Sequence, residues 1–201
     1  MVDTGIRNFA ELRGVLAGAP VLSHESRGES FFTFSVETRR LSGTTDKLNV
    51  VARESLLKET ELFDASRIHV TGELRSFNNK RGDGAKLVVT VFAREIYFDD
   101  GDDMNLVELT GTLCKPPNLR TTPMGRDICD LMLAVGRRCG RSDYLPCICW
   151  GIRAHEAGFW QVGERVSIQG RIQSRQYIKL LEGGTIEKTA FEVSVIEIEK
   201  I

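Results

Sequence analysis

No run of apolar residues in this 201-residue chain approaches the roughly 18 needed to cross a bilayer as a helix. The amino-terminal stretch MVDTGIRNFAELRG sets no basic segment ahead of an apolar run. A secretory leader is therefore not expected, and a reducing cytoplasm is the expected compartment. The first half has no cysteine at all. The five present (Cys114, Cys129, Cys139, Cys147 and Cys149) are odd in number and never spaced as CxxC, which speaks against a disulfide framework and against a zinc site. Charge of one sign is lacking too. Twenty-seven basic and 28 acidic residues give a net charge of -1 and a pI near 6.3, so any polyanion must be met by a local stripe of Lys and Arg. LEGG (181–184) and RGDG (81–84) lack the Lys-Ser/Thr of a phosphate loop and read as turns. His24, His69 and His155 stand in unrelated contexts and suggest no triad. No enzyme activity, cofactor or metal is expected.

What is present is ordinary in bulk and unusual in order. Hydrophobic residues at 41% and charged residues at 27% are the balance of a globular protein. Sliding the sequence by 97 places NFAELRGVLAGAPVL (8–22) on NLVELTGTLCKPPNL (105–119). Asn8, Glu11, Leu12, Gly14, Leu16, Pro20 and Leu22 recur as Asn105, Glu108, Leu109, Gly111, Leu113, Pro117 and Leu119. The register continues through Gly28/Gly125, Arg40/Arg137, Gly43/Gly140, Asp46/Asp143 and Leu48/Leu145. That makes 12 identities in 46 positions, where average residue usage gives roughly three. After a one-residue shift IHVTGELRS (68–76) falls on VSIQGRIQS (166–174). The chain is a tandem duplication, with copies at 1–98 and 105–201 and an acidic linker at 99–104 (DDGDDM) that reads as solvated.

Each copy reads as strands. Phe32, Phe34 and Val36, then Ile68, Val70 and Leu74, then Leu87, Val89 and Val91 alternate with other residues in the first. Cys129, Leu131, Leu133 and Val135, then Val166, Ile168 and Ile172, then Phe191, Val193 and Val195 do so in the second. One helix fits in each, near Glu54–Phe63 and Ile152–Trp160. Five strands with a helix between the third and fourth is the plan of a small Greek-key barrel. Gly14, Gly72, Gly111 and Gly170 lie inside strands, where glycine marks a tight bend. The expected fold is all-β, two such barrels in tandem.

The second copy carries a specific pattern. NLVELTGTL, PPNLRTTPMG, LMLAVGRR, DYLPCICWGIRA, GERVSIQGRIQSRQY and TAFEVSVIEIE follow one another with a spacing that resembles bacterial single-stranded DNA-binding proteins across 105–201. The first copy resembles the family weakly, mainly by way of the second. The resemblance implies oligonucleotide-binding (OB) barrels, multimeric assembly and a strand-binding face of aromatic and basic side chains. It puts stacking aromatics at Tyr144, Trp150 and Tyr177, while a fourth family aromatic falls on Cys139. In the first copy the equivalent positions are Lys47, Arg53, Asn79 and Ser42. The family's acidic recruiting tail has no counterpart after the last strand.

Strand parity supports this site from the residues alone. Tyr144, Pro146, Ile148 and Trp150 share one face while Leu145, Cys147 and Cys149 turn inward; on the next strand Arg171, Gln173, Arg175 and Tyr177 share the face opposite Ile168 and Ile172. Bases stack on such rings without being read, and guanidinium groups neutralise phosphates. Arg137, Arg138, Arg141 and Lys179 add cations from the loops. Candidates in the first copy are Arg39, Arg40, Lys47, Arg53, Arg75, Phe77, Lys80 and Arg81. Trp160 reads as core. The expectation is a non-catalytic, sequence-tolerant binder of single-stranded DNA, with RNA served by the same chemistry. It acts in replication, recombination or repair, is cytoplasmic and nucleoid-associated, and works as a homodimer presenting four OB barrels with no membrane partner. The alternative is a primosome-like adaptor with weak or no nucleic-acid binding.

Overall fold

The computed structural model describes residues 7–79, 86–181 and 184–201, without the side chains of residues 178–181, 184, 186 and 187. The strands of the first repeat are β1 (Asn8–Ser26), β2 (Glu29–Arg39), β3 (Thr45–Arg53), β4 (Arg67–Asn78) and β5 (Leu87–Phe98), with helix α1 (Glu54–Thr60) after β3. Those of the second are β6 (Met104–Leu113), β7 (Asn118–Thr121), β8 (Asp127–Gly136), β9 (Ser142–Trp150), β10 (Arg165–Leu181) and β11 (Gly184–Lys200), with α2 (Ile152–Gly158) after β9. Neighbours run β2-β3-β5-β4-β1, closed by β1–β2 pairing, and β6-β10-β11-β9-β8, closed by β6–β8 pairing. Both repeats form the OB barrel. Among the described residues no helix is long and apolar enough to cross a membrane.

Two compact units result, and they interleave along the chain. The first comprises Phe9–Arg75 and Thr90–Leu106; the second comprises Met1–Asn8, Ser76–Val89 and Val107–Ile201. The described residues 76–79 and 86–89, where β4 ends and β5 begins, thus belong to the unit of the second repeat. The recurring leucines are the cores: Leu12, Leu16 and Leu48 in one unit and Leu109, Leu113 and Leu145 in the other are at most 1% exposed. Their burial is the principal stabilising term in each barrel.

The recurring glycines are the closure points. A Cβ at Gly14 would stand 2.1 Å from the Glu37 carbonyl oxygen, and one at Gly111 would stand 2.7 Å from that of Ala134, the position equivalent to 37. Gly72 faces the Phe92 carbonyl at 2.2 Å and Gly170 that of Ser194 at 2.5 Å. Backbone meets backbone at all four places, which no side chain allows.

Three details differ from the sequence reading. The strand after β6 restarts as β7, because Pro116 and Pro117 supply no N–H to a ladder; in the first repeat, β1 passes the same place through a register shift between Ala17 and Val21. Helix α1 ends at Thr60 rather than Phe63, with Glu61 left-handed at φ 46°. The acidic segment after β5 is bound to its own unit: Asp99 meets Arg13 at 2.9 Å and His69 at 3.3 Å, while Asp103 accepts from Arg67 at 2.7 Å and from the Arg39 amide at 2.6 Å. The Gly101 N–H, then Arg13 and His69, hold the Asp99 carboxyl below its ordinary range.

Candidate nucleic-acid interface

Strand β9 alternates as expected except at Ile148, which lies on the outer face by parity and is nevertheless buried. Leu145, Cys147 and Cys149 are buried, and burial pushes the Cys149 thiol up to about 12 and that of Cys147 higher still. On the outer side Tyr144 is 51% and Trp150 37% exposed. They stand six residues apart, about 20 Å along an extended strand. Ala134 and Ile128 of β8 lie beside them, and Ser194 of β11 lies beside Ile148. From β10, Arg171 pairs with Ser194, Arg175 with Ala190 and Tyr177 with Lys188. Paired residues share a face, so the tyrosines, the tryptophan and the two arginines occupy one outer surface of the second unit. Arg175 holds its guanidinium 5.7 Å from the Tyr177 ring centroid, and its side chain is 53% exposed.

Two carboxylates occupy the same surface. Glu192 is buried, accepts from Gln173 Nε2 at 2.9 Å and lies 3.4 Å from Arg175 Nε. Asp130 accepts from Arg120 Nε at 2.6 Å and Nη2 at 3.2 Å. The Asp130 hydrogen bonds, with the charges of Asp130 and Glu192, raise the Arg120 pKa above its ordinary value. Sequence reasoning missed Arg120, Asp130 and Glu192. The alternation of Phe191, Val193 and Val195 carried the signal for Glu192, which parity turns outward.

The hairpin cations separate into two kinds. Arg138 and Arg141 are exposed. Arg137 donates from Nε to Asp143 Oδ2 at 2.7 Å and from Nη2 to Oδ1, and Nη2 reaches the Ser76 carbonyl at 3.4 Å. The Asp143 side chain is fully buried, accepts from the Ser76 amide at 2.6 Å, and so fixes Arg137 within the fold. Arg40 repeats this, binding fully buried Asp46 through Nε and Nη2 at 2.5 Å each. The recurrence of Arg40/Asp46 as Arg137/Asp143 is a recurrence of this pair. Neither arginine is held out for phosphate.

Phe77 is 53% exposed and, with Tyr144, Lys86, Lys115 and Met132, lines a cleft of about 580 Å³ in the second unit. In the first unit Arg39 and Lys47 are exposed, and Arg53 and Arg75 lie 5.8 and 6.0 Å from the centroid of Phe92, a residue the sequence reading passed over. Lys80 and Arg81 lie outside the described residues, as does the side chain of Lys179. Trp160 is half-buried, with Lys200 Nζ 6.0 Å from its ring. Among the described residues no three His, Cys, Asp or Glu side chains gather as a metal site would require.

Residues 104–200 match the single-strand binding protein family. The second repeat belongs to that family. The single-stranded DNA-binding protein of Clostridium tetani is 38% identical over 81 residues, 37% of this chain and 56% of that one. Single-stranded DNA-binding protein A of Bacillus subtilis is 36% identical over 81 residues, 37% of this chain and 47% of that one. The chain thus spans about half the length of these single-strand binding relatives. Wild-type single-stranded DNA binding protein from Thermus aquaticus superposes with a TM-score of 0.78, covering 98% of this chain and 93% of that chain at 22% identity. That likeness shows the fold shared through both repeats.

Proposed function

We propose that the protein binds single-stranded DNA without reading its sequence and does no chemistry on it. Bases stack on Tyr144, Trp150 and Tyr177, and the backbone is neutralised by Arg138, Arg141, Arg171 and Arg175. The observation that carries this reading is the common outer face of β9 and β10, where exposed rings stand among guanidinium groups. The membership of residues 104–200 in the single-strand binding protein family and the printed names of the relatives support it. Asp130 does not oppose it, because Arg120 engages it; Glu192 accepts from Gln173 and shares Arg175 with the backbone. A strand lying on this face meets rings at the rim and a neutralised floor. Work in replication, recombination or repair follows from the ligand, and pairing of two chains presents four barrels.

The test is anisotropy of labelled oligo-dT with the native chain and with a Tyr144→Ala, Trp150→Ala, Tyr177→Ala variant. Each ring is expected to contribute about 1–3 kcal/mol, so the variant binds at least a hundredfold more weakly. Equal affinity for the two proteins ends the stacking reading. The adaptor reading draws on the two carboxylates at the centre of the face, and it expects the native chain itself to leave the oligonucleotide free.

A further inference from the structure

Beneath the surface shared by the rings and the guanidinium groups stands a carboxylate almost closed off from water. Glu192 of β11 has a side chain 9% exposed, accepts from Gln173 Nε2 at 2.9 Å through Oε1 and sets Oε2 3.4 Å from Arg175 Nε. Gln173 and Glu192 are direct partners across β10 and β11, and both are buried. A carboxylate so placed persists only beside donors and a cation. The amide of Gln173 fixes it, and its cation is Arg175, one of the arginines that neutralise phosphate on the reading above. Arg175 in turn lies against Tyr177, 5.7 Å from the ring centroid. One guanidinium group therefore serves a buried carboxylate, a stacking ring and a phosphate.

The same pattern continues across the sheet. Arg120 donates to Asp130 from Nε at 2.6 Å and from Nη2 at 3.2 Å, and the charge of Glu192 also acts on it. Signs thus alternate over the floor of the face, Asp130, Arg120, Glu192, Arg175, while Arg138 and Arg141 stand exposed on their hairpin. A polyanion approaching the floor meets cations whose charge is already partly cancelled.

Neither carboxylate is required by the barrel. Val50 pairs with Val91 and Cys147 with Val193, so Glu192 stands where the first repeat has Thr90. The shift of 97 sets Asp130 on Thr33. The first barrel closes with a neutral side chain in both places, and Thr90 is buried as Glu192 is. For affinity alone, a negative charge under a surface that takes phosphates is unfavourable. Glu192 thus opposes the ligand from a position where a neutral side chain fits the fold.

We propose that Glu192 is a brake on binding: it divides Arg175 between itself and the phosphate backbone, and so keeps a bound strand exchangeable. This rests on the single-stranded DNA reading of the same face. With Nε turned to Glu192, Arg175 meets phosphate through its Nη atoms, at a charge the carboxylate has partly cancelled. The test is a double-mutant cycle in the full chain, read by anisotropy of labelled oligo-dT across a salt series, with dissociation followed on adding unlabelled oligo-dT. Glu192→Gln keeps the shape and the Gln173 hydrogen bond and removes the charge. It is expected to bind about tenfold more tightly, to release the strand more slowly and to steepen the salt slope by about one. Glu192→Thr, with the side chain of the first repeat, is expected to give the same gain at an unchanged melting temperature. Arg175→Gln is expected to weaken binding, and in that background Glu192→Gln is expected to gain at most about threefold. Native affinity and native salt slope in both Glu192 variants overturn the brake and leave the single-stranded DNA reading standing. Weaker binding in both, at an unchanged melting temperature, makes Glu192 a support for Arg175 and also overturns it. A full gain without Arg175 overturns the division of that arginine. Failure of the native chain to bind oligo-dT removes instead the reading on which the brake rests.

Discussion

A carboxylate with no exposure to water survives in a fold only beside a cation and hydrogen-bond donors. Asp46 and Asp143 have both, and this decides the role of Arg40 and Arg137. Asp143→Ala leaves Arg137 half-buried without its partner and is expected to cost about 3–5 kcal/mol in urea unfolding. Arg138→Gln, at an exposed site one residue along, is expected to leave unfolding unchanged and to reduce the salt slope of oligo-dT binding. A reversed pattern, with stability following Arg138, contradicts the assignment. From the residues alone, Arg137 and Arg138 are alike: both sit in a polar hairpin beside a strand end. The joint recurrence of arginine and aspartate in the two copies was the signal for the pair, but the sequence reading counted Arg137 with Arg138 among the DNA-binding cations. The outward places of Tyr144 and Trp150 were legible because alternation along β9 fixes which side chains turn outward. The outward place of Phe92 was not, because its strand is apolar on both faces and an outward phenylalanine there looks like core.

At the scale of elements, the four strand glycines carry the architecture. Gly14→Ala or Gly111→Ala forces a methyl group onto a carbonyl oxygen of the neighbouring strand and is expected to destabilise by about 1–3 kcal/mol or more, seen as a lowered melting temperature. The same change at Gly125, where φ is 75° and nothing lies within 4 Å of the added atom, tests backbone conformation without crowding. The glycines were readable as bends, though not as contacts between backbones, since strand partners are set by closure. The acidic segment after β5 reads as solvated because four of its six residues are aspartates. Its attachment depends on Arg13, Arg39 and Arg67, which come from three different strands. Asp99 has a folded pKa below its unfolded value, so its contribution is complete above about pH 4 and fades as pH falls from there toward the folded pKa. Thermal unfolding of the native chain is thus expected to lose more stability between pH 5 and about pH 3 than that of Asp99→Asn; equal loss contradicts the pairing.

For the whole molecule, net charge near zero places all electrostatic attraction in local surfaces, and binding is therefore expected to be steeply salt-dependent despite a pI of about 6.3. Pairing of two chains is expected to give about twice 22.5 kDa by light scattering at micromolar concentration; the mass of a single chain contradicts the four-barrel assembly. Stacking of bases on the exposed rings of the second unit can be followed through a single indole. In Trp160→Phe the remaining indole is Trp150, whose fluorescence can be followed during titration with oligo-dT at rising salt. Stacking on Trp150 is expected to give quenching that saturates at low salt and a midpoint that moves to higher oligonucleotide concentration as salt increases. Emission that stays constant while anisotropy shows the oligonucleotide bound would contradict it.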